Sequence, residues 1–256
     1  MEIYIHELNV VINAWIWTFF RIGAMLMTAP VIGTRSIPVR VRLGIVVAIT
    51  MLVAPLISVP QGIEALSYES LFISIQQILI GICMGLSFRF IFVVVELAGQ
   101  SIGQLMGLML ASMIDPQNGN QVPIIGQFYL LLSTLLFISV DGHLLLIQAL
   151  VMSFYDLPVG IAGINETNFW DVLVWFGEVL AYAVLIILPA MVCMLIVNLS
   201  FGIMARTAPQ LNIFAVGFPI MIIVGVIVVM LSLKGFITEM TGLFNSGFIM
   251  LNNITK

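Results

Sequence analysis

Six stretches of this chain are apolar for long enough to cross a bilayer, and charged residues rarely interrupt them. They cover residues 8–33, 43–59, 70–95, 122–140, 179–205 and 211–233. A transmembrane helix needs about 20 mostly apolar residues, whereas a barrel strand would show alternation over about 10. These runs are apolar all round, so they predict an all-α fold: a multi-helix membrane-complex protein of long helical hairpins. Pro189 and Pro219 fall inside such runs and predict kinks, because proline lacks the N–H that a helix interior uses. Composition leads to the same class. The chain is 62% hydrophobic and 8% charged, against about 25% charged in soluble domains, which is too little polar surface to cover a soluble globule. Eight basic and twelve acidic residues leave a net charge of -4. That balance offers no basic patch for nucleic acid. The opening MEIYIHELNV has acids where a signal peptide has Lys or Arg, so the first apolar segment is expected to be retained in the membrane.

Charge also predicts orientation. Arg35, Arg40 and Arg42 follow the first segment, Arg89 lies near the end of the third and Arg206 follows the fifth. Glu64 and Glu69 follow the second, and Asp156, Glu166, Asp171 and Glu178 follow the fourth. Positive residues favour the cytoplasm, so six spans with the N-terminus outside place these five arginines inside. Loop 34–42 then faces the cytoplasm and loop 156–178 the periplasm. Lys234 and Lys256 fall on the other side.

Two regions do not fit simple spans, and a third stretch reads as a cap. Residues 96–121 are too apolar for an ordinary loop and read as a re-entrant segment shielded by protein. Residues 144–155 could extend the fourth helix, bend back or lie at the interface. Residues 235–251 read as a weakly amphipathic cap. Within the first of these, Gly99, Gly103, Gly107 and Ala111 recur every fourth position, with Met106, Met109 and Met113 beside them. Small residues at that spacing line one helix face and let a second backbone approach closely, and methionine can seal against an irregular partner. Gln100 and Gln104 give the same helix a polar strip, and Gly81 and Gly85 share the four-residue spacing. The polar stretch DPQNGNQVPIIG then runs from Asp115 to Gly126. Pro116 and Pro123 restrict its backbone, while Gly119 and Gly126 permit turns. A helix that packs closely and runs into such a loop suits a gate better than a catalyst.

Catalytic motifs do not emerge. There is no Walker loop, HExxH helix or GxSxG elbow. His6 and His143 are far apart, and Cys83 and Cys193 lie in apolar segments without CxxC spacing, which suits small core residues. Arg21 is the most expensive residue. Insertion scales put a central arginine at about 2.5–3.5 kcal/mol. It therefore predicts an ion pair, with Glu96 as a possible partner, or a guanidinium bound by carbonyls. Asp141-Gly142-His143 reads as a polar helix break with glycine at the bend, in preference to a proton relay.

The runs GLMLASMIDPQNGNQVPIIGQFYLLLSTLLF, DGHLLLIQALVMSFYDLP and APQLNIFAVGFPIMIIVG together resemble the FliR family of flagellar type III export-gate proteins. The injectisome counterparts form a sister branch. The likeness spans nearly the whole chain, in order. It implies a structural and gating subunit that is not an enzyme and needs no cofactor. It implies assembly with FliP and FliQ into a closed conduit for unfolded flagellar export substrates, completed by FlhB and FlhA. It implies a place in the bacterial inner membrane, in the flagellar basal body, with the gate raised toward the periplasm. The family pattern divides the chain into a FliP-like part, 1–180, and a FliQ-like hairpin, 181–256. Its plug loop maps onto 107–126, which makes Gly107, Met109, Met113, Asp115, Pro116, Gly119, Pro123 and Gly126 the plug residues. The competing reading is a small-solute secondary transporter, which should carry paired polar groups near mid-membrane and internal repeats. One central arginine and no evident repeat favour the gate.

Overall fold

The computed structural model describes residues 2–34, 37–60, 63, 67–108, 124–160, 166–207 and 213–254. Among these, the regular elements are helices: α1 (Glu2–Thr28), α2 (Val39–Val53) with a short 3-10 turn at Ala54–Leu56, α3 (Tyr68–Leu105), α4 (Ile124–Ser139), α5 (Gly142–Asp156), α6 (Glu166–Thr207) and α7 (Ile213–Ile254). The all-α reading holds. Among the described residues, five helices are long and apolar enough to cross a membrane, and the α4–α5 pair, bent by 65°, would make a sixth if it is one span.

Helix lengths depart from the sequence reading, for a physical reason. α3 has 38 residues, and α6 and α7 have 42 each. At 1.5 Å per residue they are about 57–63 Å long, roughly twice the hydrocarbon thickness of a bilayer. Residues 96–105 continue α3 and do not form a separate re-entrant segment, because no proline or left-handed residue interrupts the chain before Gly107. Arg89 therefore lies well inside α3, where it is exposed. Residues 235–251 continue α7. Residues 144–155 form α5 after a bend. Asp171 and Glu178 sit on α6, which shortens the acidic connection after α5. Pro189 and Pro219 lie inside continuous helices.

The chain divides into two compact units: Met1–Phe90, Asp141–Gly177 and Asn245–Lys256 form the first, and Ile91–Val140 and Glu178–Phe244 the second. In the first, α1 and α2 are antiparallel neighbours. Their turn is stapled by Arg42, whose Nη2 donates to the carbonyls of Thr34 at 2.7 Å and Ile37 at 3.1 Å. α1 also lies tightly against α3. A Cβ at Gly81 would be 2.8 Å from the Ala24 Cβ, and one at Gly85 would be 2.6 Å from the Met25 carbonyl. The Gly81/Gly85 pair is thus a close helix crossing. Trp17, Ile22, Met25, Ile80, Met84 and Phe88 fill the core around it.

In the second unit, an aromatic cluster forms the core. Phe92, Phe137 and Phe244 pack mutually with centroids 5.4–5.8 Å apart, and Tyr129 meets Phe236 edge-on at 4.8 Å. Such offset and edge contacts are the favoured aromatic geometries.

Candidate functional site

The polar loop leaves from α3 and returns to α4, and both of its anchors lie in the second unit. The departing end is Gly107, at φ 77°. That left-handed conformation is natural for glycine and ends a helix. The α3 terminus is further fixed by Asn198, whose Nδ2 donates to the Leu105 carbonyl at 3.3 Å and to the Met194 carbonyl at 3.0 Å. An otherwise unpaired helix-end carbonyl thereby gains a donor. Beside it, Met106 is buried and lies against the backbone of Gly225 on α7. A Cβ on Gly107 would be 3.4 Å from the Phe218 ring.

The returning end is Ile124–Gly126, at the start of α4. Here two glycines meet. A Cβ on Gly99 would be 2.8 Å from Gly126 Cα and 2.9 Å from the Ile125 carbonyl, and one on Gly126 would be 2.9 Å from the Glu96 carbonyl. α3 and α4 therefore cross backbone to backbone at Gly99 and Gly126. A Cβ on Gly103 would find Ile125 at 3.6 Å and Leu108 at 3.9 Å. Leu108 and Ile125 therefore approach one point, which brings the described ends of α3 and α4 close together.

This arrangement revises the small-residue series. Gly99 makes the close contact that its spacing predicted. Gly103 has room for a methyl group. Gly107 lies beyond the helix and supplies a stop instead of a packing face. Gly126 is the partner of Gly99, which four-residue periodicity could not reveal because it sits on another helix. Ala111, Met109, Met113, Asp115, Pro116, Gly119 and Pro123 lie outside the described residues.

Arg21 is fully buried in the first unit, and its partners are neutral. Its Nε donates to Gln77 Oε1 at 2.7 Å. Its Nη1 donates to the Ser153 carbonyl at 2.8 Å and to Ser153 Oγ at 3.2 Å, and its Nη2 to the Leu157 carbonyl at 3.0 Å. The guanidinium also lies 4.2 Å from the centre of the Phe154 ring. Glu96 is not among these partners, which corrects the expected pairing. Ser153 and Leu157 belong to the C-terminal end of α5, where the helix dipole concentrates partial negative charge. Carbonyls and a helix end replace the counter-ion.

Asp141 adopts φ 53°, and the 65° bend between α4 and α5 turns on it rather than on Gly142. Asp tolerates that region better than most side chains. The helix-break reading holds, with the left-handed residue one position earlier than expected. Cys83 and Cys193 are free thiols.

The family model for bacterial export proteins, family 1, matches residues 12–247. The chain belongs to that family. Its relatives include proteins named flagellar biosynthetic protein FliR. The one from Escherichia coli (strain K12) is 37% identical over 216 residues, 84% of this chain and 82% of the relative. The one from Pectobacterium carotovorum subsp. carotovorum is 37% identical over 243 residues, 95% of this chain and 93% of the relative. The one from Bacillus subtilis (strain 168) is 30% identical over 244 residues, covering 94% of each. The resemblance read from the loop and its flanking runs therefore extends over residues 12–247.

Proposed function

We propose that this chain is a structural and gating subunit of the flagellar type III protein export gate, without enzymatic activity of its own. It assembles with FliP and FliQ into the closed conduit for unfolded flagellar proteins, in contact with FlhB and FlhA. The complex resides in the inner membrane within the flagellar basal body, raised toward the periplasm. Residues 1–180 act as the FliP-like part and 181–256 as the FliQ-like hairpin. The stretch from Gly107 to Gly126 acts as the plug.

The observation that supports this reading is the anchoring of the described residues on either side of that stretch. A plug needs fixed roots and a yielding tip. Its roots are the Gly107 stop, held by Asn198 and Phe218, and the Gly99–Gly126 crossing. The sequence between them includes Met109 and Met113, soft residues that can fill an opening without a fixed fit. Helix length adds support. Exposed apolar residues run along α6 from Trp170 to Met204, about 51 Å at 1.5 Å per residue. A hydrocarbon layer of about 30 Å cannot cover that face, but neighbouring subunits can. The transporter alternative fares worse. Hydroxyls within the apolar helices bond to carbonyls of their own helix: Thr50 to Val46, Ser133 to Tyr129 and Ser200 to Ile196, at 2.7–2.8 Å.

The test is to shorten the loop within residues 115–122. The complex should keep its mass in mild detergent while ions leak across the membrane. Replacing Met109 and Met113 with Ala should leak less, because part of the barrier remains. A shortened gate that assembles and stays ion-tight would move the seal to a partner subunit. A purified chain that is only monomeric or dimeric would favour the transporter.

A further inference from the structure

We propose that a groove between α1 and α2 holds one acyl chain of an anionic phospholipid, whose phosphate is bound by Arg40. The groove has a volume of about 260 Å³ and is lined by Trp15, Ile16, Phe19, Phe20, Val47 and Thr50. Its walls offer no polar surface, since the Thr50 hydroxyl bonds to the Val46 carbonyl at 2.7 Å. Such a pocket suits a hydrocarbon chain.

Arg40 selects the headgroup. Val47 lies seven residues after Arg40, two helical turns on, so the two share a face of α2 about 10 Å apart. Thr50 lies about 15 Å from Arg40 along the axis, half the hydrocarbon thickness of a bilayer. An acyl chain in the groove thus brings its own phosphate to the level of Arg40. Gly44 lies on the same face between them, and a Cβ there would meet nothing within 4 Å. The path from groove to arginine is open. Arg42 holds the turn through Thr34 and Ile37, whereas Arg40 is exposed with no hydrogen-bond partner among the described residues. No Asp or Glu occurs from residue 8 to residue 63, so the chain supplies no nearby acid in sequence to neutralise it. Guanidinium groups bind phosphate oxygens in fork geometry. An apolar helix of a partner subunit would fill the groove but leave this cation unmatched.

Trp15 stands in the groove wall and serves as the reporter. The full-length protein is reconstituted in phosphatidylcholine vesicles with a minor fraction of brominated phosphatidylglycerol or, separately, brominated phosphatidylcholine. The emission lost in a Trp15→Phe variant isolates the Trp15 signal. That signal should respond to the brominated anionic lipid with about a five-fold preference, the effect of one basic residue at a membrane surface. Arg40→Gln should bring the preference to about one, and Arg40→Lys should retain most of it. Gly44→Leu, at an open and exposed position, should block the path and reduce quenching by both lipids. Equal quenching by both lipids in the wild type would reduce the site to ordinary boundary lipid and overturn the proposal. So would a preference that survives Arg40→Gln, unchanged quenching in Gly44→Leu, or a Trp15 that neither lipid quenches, which would mean that protein covers the groove.

Discussion

Adding one methyl group at Gly99 separates close packing from mere small-residue spacing. The Cβ of Gly99→Ala would stand 2.8 Å from Gly126 Cα and 2.9 Å from the Ile125 carbonyl. Ordinary contact begins near 3.4 Å, so α3 and α4 must part by about 0.6 Å, and the obstacle is backbone that cannot rotate away. Forcing extra volume into a packed site costs about 1–3 kcal/mol. The helix itself gains about 0.5–1 kcal/mol when glycine becomes alanine, which leaves a net loss of up to about 2.5 kcal/mol. Gly103→Ala is the internal control. Its nearest neighbour would be 3.6 Å away, so it keeps the helix gain of about 0.5–1 kcal/mol without the clash. Thermal unfolding of the two purified variants in the same detergent should place Gly103→Ala at or above the wild type and Gly99→Ala clearly below both. Gly99→Ala that melts together with Gly103→Ala would refute the backbone-to-backbone crossing.

Three further outcomes follow from the same contacts. Arg21→Met should lower stability by at least about 2 kcal/mol, because it leaves Gln77 and two carbonyls without their charged donor; Glu96→Gln should leave stability nearly unchanged, and denaturant titration of both variants checks the contrast. Gly107→Val should cost about 1–2 kcal/mol, since a side chain is strained at φ 77°, and it should raise ion leakage if that stop sets the root of the loop; melting and vesicle conductance read the two effects separately. In a background free of Cys83 and Cys193, an impermeant thiol reagent applied to intact spheroplasts should label Thr167→Cys and spare Ser36→Cys, with the reverse pattern refuting the orientation drawn from the arginines.

The helices were legible in the sequence because long apolar runs have few alternatives once strand alternation is excluded. Their ends were harder to read. Dividing the chain into bilayer-length pieces placed a boundary after residue 95, yet nothing between Glu96 and Leu105 breaks a helix, and α3 continues. The partners of Arg21 were illegible for a different reason. Two of them are backbone carbonyls, 132 and 136 residues away, and a carbonyl leaves no mark on residue identity. A helix ending ahead of Leu157-Pro158 was the available clue. Spacing placed Gly99 among the small residues of one face, but which of them meets a neighbour depends on where α4 crosses. In the sequence Gly126 reads as a turn and plug residue, and nothing there marks it as the place where α4 touches α3.

The extended apolar face of α6 also bears on the life of the protein before assembly. A subunit whose flank exceeds what lipid can solvate is incomplete on its own. Until neighbours arrive, the surplus face is open to self-association and to the surveillance that removes damaged membrane proteins. Cells making this chain without its companions should therefore accumulate little of it, and companion synthesis should lengthen its half-life without changing its rate of translation.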